Sequence, residues 1–138
     1  MIFDWADYLK LAEALQANPD VPGPREASLR AATSRAYYAA FKCVVNFAMS
    51  EGFQPKYTGE DHGSIRKHFR DYQPNNSDIR GKISTELGRI YDNRCRADYD
   101  NELTRTSPNA LADLTIKTAQ RVLEKLNFLK TVKNDATE

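Results

Sequence analysis

An arginine and an aspartate one helical turn apart, Arg94 and Asp98, are the residues of this sequence best placed to do chemistry. At about 100° per residue both fall on the apolar stripe drawn by Ile79, Ile83, Leu87 and Ile90, whereas Arg96 points to the far side. Such an i,i+4 pair is usually solvated. One that continues an apolar stripe is at least partly buried, where an unpaired arginine is costly. Two roles fit it: an ion pair that locks the helix end, or a guanidinium held by Asp98 and aimed at a phosphate.

His62 stands at the start of a short helix and on its inner face. A helix N-terminus disfavours the imidazolium, so the neutral ring should prevail. A neutral ring beside an arginine can serve as a general base toward a ribose 2′-hydroxyl, and it can equally cap the helix or fill a polar niche. His68, among Arg66, Lys67 and Arg70, reads as surface, and that basic cluster as a solvated face able to touch a nucleic-acid backbone. In the run Ser34-Arg35-Ala36-Tyr37-Tyr38-Ala39-Ala40-Phe41, Tyr37 and Phe41 suit a core. Arg35 and Tyr38 lie on another side, which suits a neighbouring helix, a dimer mate or a phosphate site. The two histidines lack a supporting ligand spacing, so no metal and no cofactor is expected. Cys43 and Cys95 read as free thiols in a reducing cytosol.

The elements that must position these residues are all helical, and no stretch alternates as a strand. Asp4 can cap a first helix reaching about Ala17, with Trp5, Tyr8, Leu9, Ala12 and Leu15 inward. The breaker-rich Asn18–Pro24 follows. A long second helix spans about Arg25 to Ser50, with Leu29, Ala32, Ala36, Ala40, Val44 and Phe47 on one stripe, and Gly52 stops it. Phe53–Glu60 reads as loop. A third helix runs from Asp61 to about Tyr72, with His62, Ile65, Phe69 and Tyr72 on one face. Pro74-Asn75-Asn76 breaks it, and Ser77 can cap a fourth helix ending near Tyr99. Ser107-Pro108 opens the last helix, with Leu111, Leu114, Thr118, Val122, Leu126 and Leu129 inward and a polar, fraying tail after Val132. The expectation is an antiparallel up-and-down bundle of about five helices in a single domain, residues 1–138 with a core over about 4–132, and the second and last helices as its spine.

Composition fits that architecture. With 138 residues, 41% of them hydrophobic and 28% charged, the chain has the balance of one globular domain. Its 20 basic and 19 acidic residues leave a net charge of +1, so no whole-molecule field draws it to nucleic acid, and any such contact is local or built by a dimer. No apolar run approaches the ~20 residues of a membrane span, and the first residues lack a signal core, which leads to a cytoplasmic expectation.

Three segments together resemble the small stand-alone bacterial and archaeal HEPN-domain proteins. The run Ser34–Phe41 is similar to their signature helix, Asp61–Phe69 to their short helix in which a histidine leads into an apolar position, and Ile90–Tyr99 to an arginine followed by Ala97-Asp98-Tyr99. The match spans about Leu29 to Tyr99. The resemblance implies a homodimeric helical bundle in a toxin–antitoxin or defence setting, often beside a minimal nucleotidyltransferase antitoxin, with an RNA-facing cleft. Here that cleft would be lined by Arg94, Asp98, Tyr99, Arg35, Tyr38 and His62. Many such proteins are metal-independent endoribonucleases with an arginine followed, after a short spacer, by a histidine. Arg94 matches that arginine, but no histidine follows it in this chain. A binding role is therefore the leading expectation. Cleavage by Arg94 with His62 as base, and a purely structural role as partner of a nucleotidyltransferase, are the alternatives.

Overall fold

The computed structural model describes residues 2–18, 24–72 and 77–137, with side chains to residue 133. The described residues form an all-α bundle: α1 (Asp7–Ala17), α2 (Arg25–Met49), α3 (Asp61–Asp71), α4 (Ser77–Tyr99) and α5 (Pro108–Thr137). The middle of the Asn18–Pro24 connection and the Pro74–Asn76 break, with the start of α4 that Ser77 was expected to cap, fall outside the described residues or rest on them.

Helix ends follow from local chemistry. The Asp4 carboxylate accepts the Ala6 N–H at 3.0 Å and its carbonyl accepts that of Asp7, so Asp4 organises a turn and α1 proper starts three residues later. Gly52, at φ +92°, takes a left-handed turn that a side chain resists, and Phe53 N–H closes on the Ala48 carbonyl at 3.0 Å. Ser107 Oγ accepts the Ala110 N–H at 3.1 Å while Pro108 fills the first helical position.

α2 is the centre of the bundle, touching all four other helices, and its most extensive partner is α5. Its buried alanines (Ala32, Ala36, Ala39, Ala40 and Ala48) have no bulk to hold neighbours away. The side-chain links give the directions. Asn93 meets Thr115 and Glu86 meets Lys125, so α4 and α5 are antiparallel. Ser34 meets Asp98 and Glu51 meets Arg80, so α2 and α4 are too. α3 departs from strict up-and-down alternation. Phe41 stacks on His62 and Phe47 meets Phe69 at a tilt, so α3 runs alongside α2 in the same direction, because the loop over 50–60 doubles back along α2. This loop brings His62 level with Tyr37 rather than with the end of α2.

Four expectations are corrected. Leu114 is 52% exposed, because the buried stripe of α5 runs through Leu111, Thr115, Thr118 and Val122 with Ala112, Ile116 and Ala119 beside them, which leaves Leu114 outside it. Tyr72 is also exposed, lying over the His68 ring rather than inside. His68 is not on the surface: its side chain is 14% exposed and its Nε2 lies 3.0 Å from Glu51 Oε1. Glu51 in turn receives both terminal nitrogens of Arg80, at 2.8 and 3.0 Å, and that guanidinium lies over Phe69 and Tyr72. Finally, the helical backbone of α5 continues past Val132 to Thr137. α1, α3, α4 and α5 all pack on α2 within one chain.

Candidate functional site

Arg94 is buried, as its place on the stripe requires. Its guanidinium carbon lies 5.8, 5.4, 5.4 and 5.7 Å from the ring centres of Tyr37, Tyr38, Tyr91 and Tyr99. Aromatic faces attract a cation and stabilise it by roughly 0.5–2 kcal/mol each, more as water is excluded. Asp98, with a side chain 30% exposed, reaches Nη1 at a long 3.4 Å and also accepts the Ser34 hydroxyl at 3.2 Å. Arg35 extends this chain by donating to Ser34 Oγ at 3.4 Å, and its own guanidinium lies over Tyr8 and Tyr38. Burial depresses the Arg94 pKa, but the facing Tyr38 and Cys95 side chains and the contacts with Tyr99 and Asp98 outweigh it and raise the value. The charge is therefore permanent. Nε of Arg94 is buried and has no hydrogen-bond partner.

His62 joins the same aromatic group from α3. Its ring centre lies 5.6 Å from that of Tyr37, 6.2 Å from Tyr38, 4.9 Å from Tyr91 and 4.4 Å from Phe41. Thus Arg94 and His62, from different helices, rest on the same three tyrosines. The Tyr37 hydroxyl lies 2.5 Å from His62 Nδ1. Tyr37 is 1% exposed, and burial drives its phenol far above the usual tyrosine range, so it keeps its proton. A buried O–H needs an acceptor, and Nδ1 is the one at hand. The tautomer that satisfies both groups has Tyr37 donating to Nδ1, which leaves His62 with an Nε2–H donor. Burial, then the positive charges of Arg94 and Arg66, hold the His62 pKa below its ordinary value against the pull of Asp61, so the ring is neutral at neutral pH.

Arg66, one turn beyond His62, lies 5.2 Å from the Tyr91 ring centre, so Tyr91 is flanked by two arginines. Nη1 of Arg66 is likewise buried without a partner. The expected site residues therefore converge: Arg94, Asp98, Tyr99, Arg35, Tyr38 and His62 form one connected group. Sequence reasoning missed the polar part of Tyr37 and the central ring Tyr91, and it put Arg66 on a solvated basic face, whereas Arg66 turns inward onto Tyr91. The signals were present: Tyr91 precedes Arg94 by i+3, and Arg66 follows His62 by i+4, each on the inward side. Asp61, whose carboxylate faces the same end of α3, accepts the N–H groups of Lys56 and Tyr57. Among the described residues no cluster of three His, Cys, Asp or Glu side chains can hold a metal, and no helix is long and apolar enough to cross a membrane. The site thus defines an all-α bundle with two arginines and a neutral histidine gathered on a tyrosine cluster. Comparison with protein-family models, with curated proteins and with solved structures finds no match to the chain.

Proposed function

We propose that this chain is a HEPN-like RNA-binding module whose Arg94–Arg66–His62 group receives a backbone phosphate. One observation carries the reading. Two cationic guanidinia flank one tyrosine, and each keeps a buried N–H without a partner. A buried N–H left without an acceptor is costly, and a phosphate oxygen would supply one to each guanidinium. The Nε2–H of His62 would add a third donor. Tyr99, 73% exposed and the last residue of α4, covers Arg94 from the solvent side, so access to the guanidinium runs past its ring. The resemblance supplies the rest of the proposal: a toxin–antitoxin or defence role in the cytoplasm, a homodimer, and a minimal nucleotidyltransferase as partner. That dimer would form through the long helices, with α2 contributing heavily to the interface.

The second reading, a metal-independent endoribonuclease, rests on the shared tyrosines of Arg94 and His62. It requires a free lone pair on Nε2, and hence the tautomer that leaves the buried Tyr37 proton without an acceptor. This favours binding over base catalysis. The test is fluorescence anisotropy of a labelled single-stranded RNA with wild type, Arg94→Gln and Arg66→Gln, each checked by thermal melting. Folded variants that bind more than about tenfold more weakly, with a shallower salt dependence, support the phosphate site. Folded variants that bind like wild type overturn it.

A further inference from the structure

A groove of about 470 Å³ is lined by Tyr38, whose ring centre also lies 5.4 Å from the Arg94 guanidinium. That volume is within the roughly 300–1,000 Å³ of small-molecule clefts. The groove is lined by Arg35, Tyr38 and Lys42 of α2, by Trp5 and Tyr8, and by Tyr57 from the loop before α3. Cations and rings alternate along it. Arg35 lies 5.0 Å from the Tyr8 ring centre and 5.4 Å from that of Tyr38. Lys42 Nζ lies 4.9 Å from the ring of Trp5 and 6.0 Å from that of Tyr57.

Tyr57 itself is unusual. It is 75% exposed, and it sits at φ +59°, a left-handed backbone that a bulky residue occupies only under constraint. The constraint is visible: Asp61, 6% exposed, accepts the N–H groups of both Lys56 and Tyr57, at 2.9 and 2.8 Å. A buried carboxylate is thus committed to holding a strained turn whose product is an exposed aromatic ring. Strain of this kind persists where the surroundings over-determine it, and it marks functional surfaces.

We infer that this groove is a nucleobase-binding pocket, stacking a base of single-stranded RNA on the exposed ring of Tyr57 within reach of Trp5. The inference deepens the phosphate-site reading and rests on it for the identity of the polymer. Every base has a π-face, so an aromatic ring stacks it without regard to sequence, and Arg35 and Lys42 neutralise the adjoining phosphates. Tyr38 joins the two sites, its ring centre lying 5.4 Å from both the Arg94 and the Arg35 guanidinium.

Trp5 is the sole tryptophan, so its emission reports on the groove directly. The experiment titrates the full chain with a single-stranded RNA and with an abasic ribose-phosphate polymer of equal length, in wild type and in Tyr57→Gly. Glycine suits the left-handed turn, so this variant keeps the loop while removing the ring. The expected result is quenching of Trp5 by RNA and binding of the abasic polymer weaker by about five- to a hundredfold, with that difference lost in Tyr57→Gly. Equal binding of the two polymers by wild type, with Trp5 emission unchanged, overturns the pocket while leaving the phosphate site standing. If neither polymer binds, the RNA reading has failed and adenosine decides the pocket. Quenching by adenosine in wild type that Tyr57→Gly abolishes supports it, and no quenching overturns it.

Discussion

The Tyr37 hydroxyl and His62 Nδ1 lie 2.5 Å apart, joining the central helix to the short third helix at the edge of the arginine cluster. With the buried Tyr37 hydroxyl donating, the remaining N–H of His62 is on Nε2. In long-range ¹⁵N–¹H spectra at neutral pH, His62 should appear as the neutral Nε2–H tautomer. Tyr37→Phe should cost about 0.5–1.5 kcal/mol in urea unfolding and leave a mixture of tautomers. A predominant Nδ1–H form in wild type would reopen the general-base reading.

Arg94 and Asp98 should not behave as a tightly coupled buried pair. The contact is long, Asp98 is partly exposed and it keeps Ser34 as a donor, so solvent screens the interaction. Asp98→Ala should cost less than about 1 kcal/mol. Arg94→Ala removes the packing of a stem and guanidinium against four rings and should cost about 1–3 kcal/mol. A double-mutant cycle on thermal or urea unfolding should give a coupling below about 1 kcal/mol. Coupling of several kcal/mol would return the pair to a purely structural role.

Glu51 and Arg80 should show the opposite behaviour. Both side chains are buried, at 8% and 2% exposure. Glu51→Leu strands the Arg80 charge and should cost about 3–5 kcal/mol, and adding Arg80→Met should recover much of it. Burial alone would raise the Glu51 pKa, but the hydrogen bonds from Arg80 and His68 reverse this and leave it below 4.5. Its stabilising contribution is therefore present above about pH 4.5 and lost as pH falls through the lower folded value. Acid unfolding of Glu51→Leu, followed by circular dichroism, should accordingly be less steep than that of wild type.

Leu87 is 1% exposed at the middle of α4, and Leu87→Ala should cost about 2–5 kcal/mol in urea unfolding. A loss under about 1 kcal/mol would mean that the site collapses around the missing side chain.

The α4 stripe shows what a sequence can reveal. Ile83, Leu87 and Ile90 are buried as periodicity demands, and Arg94 follows them inward because it lies on the same line. Arg80 lies a heptad before Leu87, as Arg94 lies a heptad after it, yet only Arg94 had a visible partner on its own helix. The partner of Arg80 is Glu51, which lies at the end of another helix and has no local signature. His68 was misjudged for the same reason: its basic neighbours in sequence hid an acidic neighbour in space. The convergence of His62 with Arg94 depends on the loop over 50–60 doubling back along α2 so that α3 starts beside Tyr37, a trajectory that no periodicity encodes.

The central claim is that a phosphate enters between Arg66, Arg94 and His62. Free of ligand, His62 titrates below its ordinary value because of its burial and the two positive charges. A bound phosphate would offset those charges and stabilise the imidazolium. The most direct measurement is the His62 pKa by NMR titration, without and with single-stranded RNA at saturating concentration. The account predicts a rise on binding, largely lost in Arg94→Gln. A His62 pKa that does not change while RNA is bound elsewhere on the protein would contradict it.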